Sequence, residues 1–319
     1  MQNIVVVGSG VVGQATGRGF IRKGHAVTFV DINEKTLAAL NAEGLKACLL
    51  AQVDWRNADI VMLAVATPTE NGRIDLSAIE MAARDLGEQL QTVDHFITVV
   101  VRSTVLPNTT EKRIKPLLEL ASGKVAGIDF GLAMNPEFLR QATSVQDFDR
   151  PWLTVIGAYD EFAARALKAL YTPFGSLLVE CTPTEAEMIK YTSNLYNAAK
   201  ISYFNEVHAI CEGLGINSGV VSSAVARSAE SLWNPLYGTR GGVPYGGACL
   251  PKDTQAFMNF VHENGFAHEM LAAAIHVNEQ LKQQIALVAT PAEPEQALFQ
   301  HRNGVERVVS RNGNGVRHD

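Results

Sequence analysis

The sequence lacks the features that mark several classes of protein. Its 319 residues include only four cysteines without regular spacing, which predicts reduced thiols in a cytoplasmic protein and excludes a disulfide framework or a zinc site. No apolar run approaches the length that spans a bilayer, and no signal peptide precedes the first strand-like run. The net charge of −6 does not favour nucleic acid as a partner. A chain that is 47% hydrophobic is instead expected to fold into two or three domains with sizeable cores.

The first 31 residues have the pattern of a dinucleotide-binding unit. A β-branched run at 3–7 is followed by the loop Gly8-Ser9-Gly10-Val11-Val12-Gly13, by a helical pattern at 14–23 and by a second strand at 26–30 that ends at Asp31. The glycines permit a tight turn and a close approach of a pyrophosphate, which the N–H groups at the start of the helix attract. Asp31 lies where a carboxylate hydrogen-bonds the adenosine ribose, and it would repel a 2′-phosphate. The pattern therefore predicts NAD rather than NADP.

Strand-like and helical patterns then alternate through the first half of the chain. This alternation predicts an α/β fold with a doubly wound, mainly parallel sheet. Ligands bind beyond the carboxyl ends of the strands in such sheets, so the segments that follow the strands are candidate binding segments. Ordinary turn formation explains each of them equally well. Three such segments are Ala66-Thr67-Pro68-Thr69, Arg102-Ser103-Thr104-Val105 and Asn135-Pro136-Glu137-Phe138-Leu139-Arg140.

A long helix is predicted from 184 to 213, because no proline interrupts this stretch and Thr184 and Glu187 fit a capping box at its start. Its length of about 40 Å is sufficient to bridge two domains and to offer a dimer face. Lys190 and Asn194 lie one turn apart and share a face. Considered alone, Lys190 is more simply interpreted as a solvated surface residue.

A stretch rich in glycine, proline and asparagine, 233–251, interrupts the helical pattern, which resumes from 254 to 285. It contains Cys249 between glycines and a proline, with Lys252 and Asp253 close behind. Glycines allow the backbone to approach a ligand closely, and a cysteine in such a loop is a candidate nucleophile. An isolated cysteine is more simply interpreted as a small buried hydrophobic residue.

Seven short motifs follow one another along the chain: Gly8-x-Gly10-x-x-Gly13, Thr67-Pro68-Thr69, Ser103-Thr104-Val105, Asn135-Pro136-Glu137-Phe138-Leu139-Arg140, Lys190-Tyr191-x-x-Asn194, Lys200-Ile201-Ser202-x-x-Asn205-Glu206 and Gly246-Gly247-x-Cys249-x-Pro251-Lys252-Asp253. In type and order they resemble the UDP-glucose/GDP-mannose dehydrogenase family, from residue 1 to about 284. The resemblance implies a Rossmann-type NAD-binding domain at 1–183. It also implies an all-α central domain at 184–285 that carries the cysteine loop and forms a homodimer through the helix at 184–213. The family's third, nucleotide-binding domain has no counterpart here, and 286–319 is expected to be a disordered tail.

The resemblance also implies an NAD-dependent, four-electron oxidation of the CH2OH group of a nucleotide sugar similar to UDP-glucose, which yields a uronic acid. After the first hydride leaves the alcohol carbon, the Cys249 thiolate would add to the aldehyde as a thiohemiacetal. A second NAD would take the second hydride, and water would hydrolyse the thioester. Lys190 and Asn194 are implied to stabilise the oxyanion at the reacting carbon, and Lys190 to help deprotonate the alcohol.

The same resemblance assigns the remaining site residues. Thr104 and Asp253 would position the water, and Glu137 would act as its general base. Residues implied to bind NAD are Gly8, Gly10, Val11, Val12, Gly13, Asp31, Lys35, Thr67, Ser103 and Thr104. Residues implied to bind the substrate are Glu137, Phe138, Leu139, Arg140, Lys190, Asn194, Tyr245 and Gly246.

Two departures from the family leave the substrate open. Gln141 stands where the family has a second carboxylate, and the loop at 233–242 differs from the family's nucleotide-contacting loop. One alternative is a two-electron dehydrogenase of the β-hydroxy acid type, which would use Lys190 and Asn194 without Cys249. Another is an NAD-binding remnant or partner subunit without turnover.

Overall fold

The computed structural model describes residues 1–140, 143–227, 238, 241–247, 249–287, 300–302 and 305–307. The chain divides into two compact units, of which the first comprises Met1–Thr192 with Gln296–Asp319 and the second Ser193–Glu295. The predicted boundaries at 183/184 and 285/286 stay predictions. Gln141 and most of the loop at 233–242 lie outside the described residues.

One sheet forms the centre of the first unit, as predicted. Its strands, in chain order, are β1 Asn3–Val7, β2 Ala26–Val30, β3 Lys46–Cys48, β4 Ile60–Leu63, β7 Thr98–Val101, β8 Gly131–Met134, β9 Leu153–Ala158 and β10 Leu177–Cys181. Two further strands, β5 Thr69–Glu70 and β6 Arg73–Ile74, form a small hairpin outside this sheet. The spatial order is β10-β9-β8-β7-β4-β1-β2-β3. Along this order, every neighbouring pair between β8 and β3 is parallel. Strand β9 runs antiparallel to β8, and β10 runs parallel to β9.

Helices follow most of these strands and cover both faces of the sheet. They are α1 Val11–Arg22, α2 Glu34–Ala42, α3 Ser77–Leu90, α4 Lys115–Ser122, α5 Ser144–Asp149 and α6 Glu161–Tyr171. All four side chains of β4 are at most 1% exposed, as expected for a parallel strand with helices on both sides. Val61 and Leu63 pack into one hydrophobic cluster, and Ile60 and Met62 pack into the other. The α/β fold that the sequence predicts is therefore confirmed.

A long helix, α7 Pro183–Gly213, begins in the first unit and continues into the second. Its capping box is not the predicted Thr184–Glu187 pair. Because Pro183 is the first helical residue, Thr182 precedes the helix, and Glu185 Oε2 accepts hydrogen bonds from Thr182 N and Oγ1 at 2.8 and 2.9 Å. Glu187 is instead fully buried.

The second unit is helical in its described part. Besides the end of α7, it contains α8 Ser218–Val225, α9 Leu250–Glu263 and α10 Glu269–Leu287. The start of α10 is held by Glu206 of α7, whose carboxylate accepts from Met270 N at 2.7 Å and Leu271 N at 3.1 Å. None of the helices in the described ranges combines the length and apolarity needed to cross a bilayer.

Six residues of the predicted tail beyond α10 are described, and they form two short strands. β12, Val305–Arg307, pairs parallel with β10 at the edge of the sheet, and β11, Gln300–Arg302, pairs antiparallel with β12. The first two residues of the predicted tail, 286 and 287, end α10. The remaining tail residues lie outside the described part, and a lack of order along them stays a prediction.

Candidate dinucleotide and catalytic site

The glycine loop between β1 and α1 has room for a ligand at one glycine and none at the other two. Gly8 has a φ of +93°, and a Cβ there would lie 2.7 Å from Val65 N. A Cβ at Gly13 would lie 1.8 Å from the carbonyl oxygen of Gly8. A Cβ at Gly10 would meet no protein atom within 4 Å in the described structure. The loop is therefore closely packed beneath Gly10 and open above it, which fits a pyrophosphate.

The start of α1 offers unpaired N–H groups beside this open surface. Gly10 precedes the helix and supplies no side-chain cap, and no acidic residue occupies the first turn. Val11 is exposed, and Val12 is half-buried. The free N–H groups and the helix dipole favour an anion at this point.

Asp31 closes the other side of the loop. Its carboxylate accepts hydrogen bonds from Ser9 N at 2.7 Å and from Asn33 N at 2.9 Å. Each oxygen retains acceptor capacity for a ribose hydroxyl. Lys35 lies exposed in the first turn of α2, where Asn33 accepts from its backbone N–H at 3.0 Å. The direct contacts of Asp31 and Lys35 with NAD stay predictions.

The segments after β4 and β7 lie together at the carboxyl edge of the sheet. Thr67 Oγ1 donates to the carbonyl oxygen of Thr104 at 2.7 Å, and Ser103 Oγ donates to that of Val65 at 2.6 Å. Thr67 and Thr104 are half-buried, whereas Ser103 is buried. The structure therefore brings together three residues predicted to bind the cofactor.

Beneath this edge lies a buried polar network that the sequence analysis missed. Arg102 donates through Nη1 to the carbonyl oxygen of Asn135 at 3.1 Å and to that of Pro136 at 3.3 Å, and through Nε to Thr16 Oγ1 at 3.4 Å. Tyr171 donates from its hydroxyl to Asn135 Oδ1 at 2.6 Å. Burial raises the pKa of Tyr171, which keeps the phenol protonated as a donor. The network fixes the ends of β7 and β8 relative to each other and to α1.

Glu137 and Lys190 form a buried ion pair. Lys190 Nζ lies 3.0 Å from Glu137 Oε1, and their side chains are only 7% and 12% exposed. Leu139 N donates to Glu137 Oε2 at 2.6 Å, and Lys190 Nζ lies 5.5 Å from the centre of the Phe138 ring. The simpler interpretation of Lys190 as a solvated surface residue is therefore wrong. Two residues with predicted catalytic roles are in direct contact.

Arg140 is engaged with a carboxylate that the sequence analysis did not identify. Its Nη2 lies 2.6 Å from Asp147 Oδ1, and its backbone N–H donates to the same carboxylate at 2.9 Å. This pairing holds the pKa of Asp147 well below its usual range. Phe138 and Leu139 are half-buried and line one cleft together with Asp147 and Trp152. Their predicted contacts with a substrate stay predictions.

The cysteine loop belongs to the second unit. Cys249 is exposed and directly precedes α9, where its carbonyl oxygen accepts from Asp253 N at 2.8 Å. Lys252 Nζ lies 2.5 Å from Asp253 Oδ1. Asn278 of α10, which the sequence analysis missed, donates from Nδ2 to the carbonyl oxygen of Tyr245 at 3.3 Å.

The exposure of Cys249 distinguishes it from the other cysteines. Cys211 is buried, and burial raises the pKa of Cys48 and raises that of Cys181 to about 12. Asn194 is exposed on α7. The assembly of these second-unit residues with Thr104, Glu137 and Lys190 into one centre stays a prediction.

Comparisons with known proteins match most of the chain. The NAD-binding domain of the UDP-glucose/GDP-mannose dehydrogenase family matches residues 2–175, and the family's central domain matches residues 184–280. The GDP-mannose 6-dehydrogenase of Pseudomonas aeruginosa is 34% identical over 86% of this chain and 68% of that protein. The UDP-glucose 6-dehydrogenase of Haloferax volcanii is 37% identical over 86% of this chain and 69% of that protein. The chain thus spans about two thirds of the length of these relatives.

Solved structures agree with these matches. A ternary complex of GDP-mannose dehydrogenase from P. aeruginosa has a TM-score of 0.82 and 32% identity, over 90% of this chain and 71% of that one. A UDP-glucose dehydrogenase from Pyrobaculum islandicum has a TM-score of 0.67 and 31% identity, over 90% of this chain and 70% of that one.

Proposed function

The chain belongs to the UDP-glucose/GDP-mannose dehydrogenase family, and on that premise we propose that it oxidises the CH2OH carbon of a nucleotide sugar to a carboxylate. NAD, when bound, supplies the hydride acceptor for both oxidation steps. The relatives are GDP-mannose and UDP-glucose 6-dehydrogenases, so both sugar nucleotides are candidate substrates. The TM-score is 0.82 for the GDP-mannose dehydrogenase structure and 0.67 for the UDP-glucose dehydrogenase structure, so GDP-mannose is the first substrate to test.

The observation that carries this proposal is the Glu137–Lys190 pair, whose charged atoms lie 3.0 Å apart and which joins the segment that follows β8 to α7. A buried lysine–glutamate pair loses much of its hydration free energy, so it is weak support for stability and typical of a functional site. The ammonium group can donate to an oxyanion at the reacting carbon, and the carboxylate can accept a proton from water. These capacities support the roles of Lys190 in oxidation and of Glu137 in hydrolysis.

We assign the covalent step to Cys249, the exposed cysteine of the four. Its sulfur bonds to the aldehyde carbon after the first hydride has left, and the aldehyde oxygen takes a proton to give a thiohemiacetal. Loss of that proton and of a second hydride gives a thioester. Water, deprotonated by Glu137, then attacks the thioester carbon, and the bond to sulfur breaks to release the carboxylate and the thiol. Each carboxylate therefore accounts for two hydrides.

The decisive experiment follows NADH and carboxylate together, with GDP-mannose and UDP-glucose as substrates. The wild-type chain is expected to form about two NADH per substrate consumed. Cys249→Ala should abolish carboxylate formation, whereas the matched variant Cys48→Ala should retain it. A yield of about one NADH with an unaffected Cys249→Ala variant would establish two-electron oxidation instead. NAD binding without turnover of either substrate would support the alternative of a binding subunit.

We further propose a homodimer that forms through α7. Four large apolar side chains on its part in the second unit are exposed, namely Leu195, Tyr196, Ile201 and Tyr203, at 62%, 65%, 62% and 46%. Leu195, Tyr196 and Tyr203 lie within an arc of about 100° of the helix, and exposed apolar side chains grouped on one face are typical of an interaction surface. The 184–213 helix is therefore the candidate contact between two copies of the chain.

A further inference from the structure

Arg102 is a buried cation without a carboxylate partner in the described part of the chain. The residue is 5% exposed, and its hydrogen bonds go to neutral acceptors on Asn135, Pro136 and Thr16. Asp147 lines the same cleft, but its carboxylate is already bound by Arg140. A buried charge of this kind destabilises a fold unless something compensates it. An anion bound nearby would provide that compensation.

The position of Arg102 relative to α1 identifies the anion. Its Nε lies 3.4 Å from Thr16 Oγ1, and Thr16 is five residues after Val11, the first residue of α1. At 1.5 Å per residue, this separation along the helix is about 7.5 Å. A pyrophosphate at the open glycine loop would therefore lie roughly 10 Å from the guanidinium group.

We propose that Arg102 strengthens the binding of the dinucleotide's pyrophosphate through its electric field, without touching it. Its guanidinium group lies against Thr16 in the second turn of α1, while the loop and the start of α1 would make the direct contacts. At about 10 Å and an effective dielectric constant of about 20 to 40, one charge pair corresponds to a roughly 4- to 15-fold change in affinity. The competing explanation is that Arg102 acts only as a hydrogen-bonding connection between the ends of β7 and β8.

Two ligands separate these explanations in calorimetric and NMR titrations of the full chain. ADP-ribose carries the pyrophosphate, whereas adenosine has the same base and ribose without any phosphate. Arg102→Gln retains amide N–H donors for the neighbouring carbonyl groups but removes the charge. It should weaken ADP-ribose about 4- to 15-fold and change adenosine by less than about twofold.

Arg102→Lys provides the matched control, because it preserves the charge and loses the planar guanidinium fork. It should bind ADP-ribose within about threefold of the wild type, and it decides the matter alone if Arg102→Gln does not fold. Equal losses for both ligands in either variant would show a purely structural role and overturn the proposal. Undiminished ADP-ribose binding by a folded Arg102→Gln variant would overturn it too. If the wild-type chain did not bind ADP-ribose, the assignment of the glycine loop as a dinucleotide site would be wrong, and the proposal for Arg102 would be overturned with it.

Discussion

As pH rises, the free energy of unfolding of the Glu187→Gln variant should increase relative to that of the wild type. Glu187 is fully buried on α7, and its Oε1 accepts from Thr110 N at 2.7 Å. Within the described residues, its Oε2 and Thr110 Oγ1 have no hydrogen-bond partner, and no cation lies within 4 Å of the carboxyl group. Burial raises the pKa of Glu187, although the hydrogen bond from Thr110 acts in the opposite direction. A neutral side chain of the same shape therefore suits this position.

The sign and size of the effect follow from proton linkage. Because the folded-state pKa is raised, folded protein retains the Glu187 proton at pH values where unfolded protein has lost it. The free energy of unfolding of the wild type therefore falls as pH rises from about 4.3, the ordinary glutamate pKa, to the raised pKa. The slope is at most about 1.4 kcal/mol per pH unit for one group. Glutamine does not ionise, so this contribution disappears in the variant.

Urea unfolding, followed between pH 4.5 and 7.5 by tryptophan fluorescence, to which the buried Trp55 contributes, measures the difference in free energy of unfolding between wild type and Glu187→Gln. Glu187→Ala should cost about 1–3 kcal/mol or more, since it leaves Thr110 N without an acceptor. Glu88→Gln is the matched control, because Glu88 is an exposed carboxylate on α3 of the same unit. A stability deficit of Glu187→Gln that stays constant or grows with pH would show that Glu187 is ionised in the fold, and the reasoning would be refuted.

Two further predictions concern the glycine loop and the proposed dimer. Gly10→Ala should weaken NAD binding in calorimetry, because the added methyl group enters the open space above the loop, yet it should change the free energy of unfolding by less than about 1 kcal/mol. Gly13→Ala should instead lower the free energy of unfolding by about 1–3 kcal/mol, since the added Cβ would lie 1.8 Å from Gly8 O. Equal stabilities of the two variants would contradict this difference. In sedimentation velocity the wild type should be a dimer at micromolar concentration and Leu195→Glu a monomer, and a wild type that stays monomeric would count against the proposed α7 contact.

Local patterns were sufficient to predict the sheet and the glycine loop. A parallel strand that is buried on both faces is a short uninterrupted apolar run, and β4 is such a run. The loop residues are constrained by backbone contacts within one strand–helix unit, so their spacing alone identifies them. The same local reasoning placed Asp31 beside the loop, where it accepts from Ser9 N.

Capping of α7 shows where local reasoning becomes ambiguous. The segment Thr182-Pro183-Thr184-Glu185-Ala186-Glu187 contains two threonine–glutamate pairs with identical spacing. Proline is favoured at the first helical position, which selects the pair that begins at Thr182. Tertiary contacts then engage the second pair, because Thr184 donates to Glu111 Oε2 at 2.7 Å and Glu187 accepts from Thr110. Those contacts join residues more than 70 positions apart, and no local pattern predicts them.

Buried charge provides the strongest argument that the carboxyl edge of the sheet was shaped by function. Lysine, arginine and glutamate are almost never fully buried unless they are paired. In the described part of the chain, the buried charged residues are Arg102, Glu187 and Lys190. Arg102 directly follows β7, while Glu187 and Lys190 lie on the part of α7 that contacts the segments after β7 and β8. Burial of the two cations among them, Arg102 and Lys190, costs several kcal/mol of hydration free energy. Their concentration at the one edge where such sheets bind ligands is therefore better explained by binding and catalysis than by stability.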